Sequence, residues 1–287
     1  MMENRICVIT GATSGIGRQT ALQLAKKKYS IQIIGRNKEK CEAILKEVET
    51  IFPNGGHQFF VGDFENLGDV KMVTNLLLKN LPRIDVLINN AGCVYQDKKI
   101  SEIGVEQTLH TNHLAPFLFT SRLMPLVKKG IEPRIVNVAS DSHYRGKFNF
   151  EDLNYDKSRY FVMTAYERSK LANVLFTNYL AEKIKDMGIL ANSLHPGVVK
   201  TQIGQKNTGS FFGWAWRAMT AVMGISEEEG AKTSVFLASS EDAKTVTGKY
   251  FDKSKEKRMS KLAADTALSN KLWNWSEEVL GEQFDFS

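Results

Sequence analysis

Short apolar runs and longer amphipathic stretches alternate along almost the whole of the 287 residues. Runs rich in β-branched and aliphatic residues, each too short for a helix, fall at 5–10, 30–35, 57–61, 84–89, 134–138, 189–195 and 248–251. Stretches with helical periodicity lie between them, at 19–28, 38–51, 67–81, 105–127 and 162–186. Strands that are apolar throughout are covered on both faces, so this alternation predicts an α/β fold with a doubly wound parallel sheet. About seven strands in the Rossmann-type order 3-2-1-4-5-6-7 are expected, with helices on both faces, in one domain spanning 1–287. Ligands of such sheets gather beyond the C-terminal strand ends, so the residues just after each run carry the functional information.

The alternation lapses once. Between His195 and Ser226 no strand pattern is present, and the run Phe211-Phe212-Gly213-Trp214-Ala215-Trp216-Arg217-Ala218-Met219 is concentrated there. Ser226 with Glu229 three residues on forms a capping box that restarts regular helix. A long aromatic loop at this edge of a sheet predicts a substrate loop over about 200–225, with a lid over 201–225. Arg217 and the short length exclude a bilayer span.

The first βα turn holds the densest chemical signal. Thr10-Gly11-Ala12-Thr13-Ser14-Gly15-Ile16-Gly17 follows the first apolar run and opens a helix. Gly11 permits a tight turn, Gly15 removes a Cβ where a phosphate must approach, and Gly17 lets the helix pack on the strand. The free N–H groups and positive dipole end of that helix then face the anion.

Composition narrows the classes. With 43% hydrophobic and 24% charged residues, the chain is an ordinary globular one. Three cysteines, Cys7, Cys41 and Cys93, form neither a C-x-x-C pair nor a disulfide framework, which fits a reducing cytoplasm. The N-terminus enters the first strand at once, so neither a signal peptide nor an anchor is expected. The formal charge is +6 and the pI about 9.0. Its lysines form no single stripe, and those at 26–28 close a helix, where they complement the dipole, so nucleic acid is not an expected partner. His110 and His113 are three apart with no third ligand, so no metal is expected.

Tyr166 and Lys170 are four apart in a helical stretch and therefore share a face. A tyrosine of ordinary pKa near 10 must reach about 7 to exchange protons at neutral pH, a shift of roughly 4 kcal/mol. A positive charge at about 5 Å contributes roughly 3 kcal/mol at an effective dielectric near 20. The pair is therefore expected to act as acid–base and activator.

The motifs, in content and order, resemble the short-chain dehydrogenase/reductase family over nearly the whole chain, and the stretches Ser169-Lys170-Leu171-Ala172-Asn173 and Leu194-His195-Pro196-Gly197 resemble its retinol dehydrogenase-like subgroup. The 144–160 insertion between Ser140 and Tyr166 and the tract from Trp214 to Phe236 are further marks of that subgroup. The resemblance implies a catalytic set of Asn112, Ser140, Tyr166 and Lys170, in which Ser140 hydrogen-bonds the reacting oxygen and Asn112 holds a water on the lysine. It implies cofactor contacts from Gly11, Thr13, Ser14, Gly15, Ile16, Gly17 and Arg18, from Asp63 at the adenine, and from the Asn90-Ala91-Gly92 element. Tyr166 and Lys170 at the ribose, and Pro196, Gly197, Val198, Val199 and Thr201 near the nicotinamide, complete that set.

The second strand ends in Gly35-Arg36-Asn37 without an acid. An acid there meets a free ribose 2′-OH, whereas a 2′-phosphate needs a cation, so Arg36 and Arg18 favour NADP(H). Ser142, His143, Phe211, Phe212, Trp214 and Trp216 are the expected substrate-pocket residues. The leading expectation is an NADP-dependent oxidoreductase for a small hydrophobic alcohol or carbonyl, retinoid-like or a lipid aldehyde or ketone, as a monomer or homodimer. A non-catalytic NADP-binding sensor and a peripheral membrane protein anchored by 211–219 are the rival readings.

Overall fold

A computed structural model describes residues 4–198 and 224–286. The expected substrate-loop residues Val199, Thr201, Phe211, Phe212, Trp214 and Trp216 lie outside the described residues, as does the lid segment apart from 224 and 225. The described strands are β1 (Ile6–Thr10), β2 (Ser30–Gly35), β3 (Gln58–Val61), β4 (Val86–Asn89), β5 (Arg134–Val138), β6 (Leu190–His195), β7 (Tyr250–Asp252) and β8 (Lys255–Glu256). They form one sheet in the order β3-β2-β1-β4-β5-β6-β7-β8. The first seven run parallel in the expected order, and β8 adds a short antiparallel edge to β7.

The helices are α1 (Gly15–Lys26), α2 (Lys38–Ile51), α3 (Leu67–Asn80), α4 (Gln107–Leu109), α5 (Ala115–Val127), α6 (Val162–Lys183), α7 (Glu227–Ser239) and α8 (Thr266–Leu280). Strand periodicity divides β1 between the faces. Ile6 and Val8 pack with α3, α5, α6 and Trp273 of α8, while Cys7 and Ile9 pack with α1, α2 and α7. Polar caps set several starts. Asn37 Oδ1 accepts from Lys40 N at 2.8 Å before α2, and Ser226 Oγ from Glu229 N at 3.1 Å before α7, as the capping box predicts.

Two elements depart from the periodicity. The continuous helix expected over 105–127 is broken into α4, a π-helical turn (His110–Leu114) and α5. Pro116 explains the break, because it has no N–H for the carbonyl of Asn112 four residues back and its ring crowds that oxygen. Helix α8 had no counterpart among the expected elements. It starts at an Asp265 cap, stops at Gly281 (φ 63°) and buries Trp273 against Phe117, Phe176 and Phe284.

Candidate active site

At the C-terminal end of β1 the chain turns through Gly11 (φ 65°) and Gly15 (φ 58°), backbone that side-chain-bearing residues rarely adopt. A Cβ on Gly17 would lie 2.3 Å from the Gly11 carbonyl oxygen and 2.4 Å from Asn90 Nδ2, so only glycine lets α1 start this close. Ser14 is the N-cap of α1 but makes no side-chain capping bond, and no acid stands in the first turn. The leading N–H groups of α1 are thus left for an external acceptor, which fits a pyrophosphate.

Asn90 and Ala91 brace this turn from β4. Asn90 Nδ2 donates to Thr10 O at 2.8 Å and Gly11 O at 3.3 Å, and the main-chain N–H groups of Asn90 and Ala91 donate to Thr10 Oγ1 at 3.0 and 2.9 Å. At the end of β6, Gly197 (φ 90°) leaves room for Ile225, whose N–H donates to Val198 O at 2.8 Å.

Both arginines proposed for a 2′-phosphate already hold carboxylates. Arg18 pairs with Glu47, and Arg36 meets Glu65 at 2.8 Å and Asp63 at 3.6 Å. Glu47 lies on α2, and Asp63 and Glu65 follow the end of β3, beside the end of β2, which is why reading β2 alone does not reveal them. Arg36 stays 44% exposed, so its guanidinium is open to solvent.

Ser140, at the end of β5, and Tyr166 and Lys170, on α6, come together. The Ser140 hydroxyl accepts from Ser142 N at 3.1 Å and stands close enough to the Tyr166 phenol to draw its pKa down. Lys170 Nζ donates to Val138 O at 3.0 Å and lies 5.7 Å from the centre of the Tyr166 ring. Burial pushes the Tyr166 phenol up and the Ser140 hydroxyl opposes it. Burial also holds the Lys170 ammonium down at about 8, and one of its N–H groups is directed at Val138 O.

The Asn112 side-chain amide is engaged at both ends. Its Oδ1 accepts from Cys93 N at 2.8 Å, and its Nδ2 donates to Cys93 O and to Ser169 Oγ, both at 3.0 Å. A fully engaged amide clamps the loop after β4 to α6 and has no side-chain donor left for a water on the lysine. A Cβ on Gly92 would meet Asn112 Oδ1 at 3.4 Å and Lys170 Nζ at 3.5 Å, which sets how close the three stand.

His143, expected at the substrate entrance, is fully buried. Its Nδ1 meets Ser140 O at 2.8 Å, its Nε2 accepts from Ser260 N at 3.2 Å, and its ring packs on Tyr144 and Tyr250. It braces the Ser140 turn from behind; Ser142 keeps a half-buried place beside Ser140.

Two supports escaped the motif reading. The 144–160 insertion docks on the loop after β4 through Tyr160 Oη to Tyr95 O at 2.7 Å and Lys98 to Asp156 at 2.7 Å. Arg168 of α6 holds it by donating to Leu153 O at 2.5 Å with its guanidinium over the Tyr155 ring. Behind Ser140, the Asp141 carboxylate accepts from Tyr250 Oη at 2.7 Å and Lys257 Nζ at 3.1 Å, and Lys257 reaches Asp252 at 3.0 Å. Clustered aromatics at 155–161 were the only sequence trace of the first support; the second joins residues too far apart to be seen.

Among the described residues no group of His, Cys, Asp and Glu could hold a metal ion, and no helix is long and apolar enough to cross a membrane. The family model for short chain dehydrogenases matches residues 5–210. Retinol dehydrogenase 13 of Mus musculus is 35% identical over 280 residues, covering 96% of this chain and 83% of that protein. Retinol dehydrogenase 14 of Homo sapiens is 35% identical over 302 residues, covering 98% of this chain and 88% of that protein. The crystal structure of an uncharacterized protein from Mycobacterium paratuberculosis matches with a TM-score of 0.77 at 28% identity, covering 98% of this chain and 95% of that one.

Proposed function

The chain belongs to the short-chain dehydrogenase family, and on that premise we propose that it is an NADP-dependent oxidoreductase for the CH–OH group of an apolar alcohol or the matching aldehyde or ketone. The observation that carries the reading is the meeting of Ser140, Tyr166 and Lys170 beside a glycine turn whose helix N–H groups lack internal partners. The retinol dehydrogenases among its relatives favour an apolar, retinoid-like substrate. NADP is favoured by the absence of an acid directly after β2 and by the exposed Arg36 guanidinium. Residence in the cytoplasm is part of the same reading, supported by three unpaired cysteines.

A nicotinamide dinucleotide held by the Gly11–Gly17 turn, Asn90–Gly92 and Pro196–Val198 supplies the hydride for reduction or accepts it in oxidation. Ser140 receives an N–H on one lone pair, so its own O–H is free to polarise a substrate oxygen or to hold the phenol. Tyr166 gives its phenolic proton to that oxygen in reduction and takes it back in oxidation. Lys170 spends one N–H on Val138 and keeps two, enough for a ribose hydroxyl and for the phenolate that forms at Tyr166.

The test is a coenzyme-absorbance assay with NADPH and NADH against retinal, long-chain aldehydes and apolar ketones, and with the oxidised coenzymes against the matching alcohols. Turnover with NADPH exceeding that with NADH is expected. Tight coenzyme binding without turnover of any such compound would instead support a sensor.

A further inference from the structure

Asn112 carries an unusual main-chain carbonyl. In an α-helix this oxygen would receive the N–H four residues on, but that residue is Pro116, buried at the start of α5. The π-helical turn spanning His110–Leu114 is the local response, and it turns the Asn112 carbonyl toward α6. There the Asn173 amide nitrogen meets it at 2.6 Å and also reaches Ser169 O at 3.2 Å, the orientation that satisfies both ends of the amide. Asn112, Pro116 and Asn173 line one narrow cavity, so the three converge at a single point. All are buried, with Asn112 at 1% exposure and Asn173 at 8%, so the carbonyl has little access to bulk water as a substitute donor.

Asn112 is therefore held to α6 twice, by side chain on Ser169 and by main chain on Asn173. Ser169 immediately precedes Lys170 and Asn173 follows it by three residues, so the two attachments bracket the lysine on its own helix. Through its other amide bonds Asn112 fixes Cys93, and with it the Gly92 backbone that stands against Lys170. We propose that Asn173 is a positioning residue for the acid–base pair: it takes the Asn112 carbonyl that Pro116 deprives of its helical donor, and so sets the spacing between Lys170 and the loop after β4. The role rests on the reading of Tyr166 and Lys170 given above, but the hydrogen bond itself can be tested without activity.

The decisive variant is Asn173→Leu, which keeps the shape of the side chain and removes the N–H. Two quantities are read: hydrogen exchange at the Cys93 amide, which Asn112 Oδ1 holds at 2.8 Å, and kcat against coenzyme KM. An unsatisfied buried acceptor predicts exchange at Cys93 about tenfold faster and kcat about tenfold lower, with coenzyme KM little changed. Thr177→Val serves as the structural control, since on the same helix it loses the bond from Asn137 Nδ2 of β5 and its own bond to the Asn173 carbonyl, while the Asn173 side-chain amide and Asn112 keep their contact. It should lower the melting temperature without altering Cys93 exchange. In a Pro116→Ala background the main chain regains a donor for the carbonyl, so Asn173→Leu should then cost less than it does alone. Unchanged Cys93 exchange in Asn173→Leu, or an equal loss in both backgrounds, overturns the proposal. If wild-type protein turns over no alcohol or carbonyl, the functional reading fails, while Cys93 exchange still decides the role of Asn173.

Discussion

Gly17→Ala is a single-methyl perturbation of the turn proposed to hold the coenzyme. The added Cβ would stand 2.3 Å from the Gly11 carbonyl oxygen and 2.4 Å from Asn90 Nδ2. Real Cβ contacts stay above 3.0 Å, so α1 must retreat from the turn or Asn90 must leave it. Asn90 cannot swing away freely, because the same nitrogen donates to Thr10 O at 2.8 Å and Gly11 O at 3.3 Å. Forcing such an overlap costs about 1–3 kcal/mol, and a lost hydrogen bond adds about 1 kcal/mol. Alanine returns about 1 kcal/mol in helix propensity, leaving a net loss near 2 kcal/mol. For a chain of this size that is a drop of roughly 4–8 °C in Tm. Coenzyme affinity should fall further, since the helix N–H groups retreat together. Thermal melts and titration of intrinsic tryptophan fluorescence with NADPH measure both quantities. A variant that melts and binds like the wild type would refute the packing described for this turn.

Other outcomes follow from the same geometry. Arg36→Ala should weaken NADPH by about 1.5–3 kcal/mol and NADH by little, as for a hydrogen bond to a charged group, and equal losses measured by titration would remove Arg36 from the 2′-phosphate. Burial lowers the pKa of all five histidines, and His113, bonded to Ser276 Oγ at 2.8 Å, is held at about 3. The unfolded chain binds these protons first, so stability is complete above about pH 6.5 and falls as the pH drops toward 3; His113 alone accounts for about 2 kcal/mol at pH 5. Urea unfolding that gives the same free energy at pH 7 and pH 5 would contradict this. Lys170→Ala should reduce kcat and coenzyme affinity together, and loss of kcat alone would show that Lys170 does not touch the ribose.

Where local chemistry decides an element, the chain announces it. The β-branched runs at 30–35 and 134–138 coincide with β2 and β5, and the Asn37 cap fixes α2 over Lys38–Ile51. Helix α1 starts at Gly15, four residues before its periodicity becomes visible, because the glycines that suit the turn are poor helix formers. The break at His110–Leu114 was written in Pro116, whose effect falls on the carbonyl four residues earlier and is hidden by the continuous apolar stripe. Helix α8 had an Asp265 cap, a Gly281 stop and apolar residues at 268, 272, 275 and 279, so its signal was present. The site was legible as motifs, but its supports were not. His143 turns inward because Ser260 and Tyr250 meet it, and Arg36 meets Asp63 and Glu65, contacts that arise only when distant segments fold together.

In the proposed reaction Tyr166 transfers the proton that accompanies hydride transfer, with Ser140 and Lys170 arranged around it. Tyr166→Phe removes only the hydroxyl from a half-buried ring on α6, so the phosphate turn and the Asn90 brace stay as they are. Steady-state kcat on the best substrate from the screen, set beside the coenzyme Kd of the same variant, tests it directly. A fall in kcat of about 10²–10⁴-fold, the range typical of a general acid, is expected while Kd changes little. A variant that keeps more than about a tenth of kcat would contradict it.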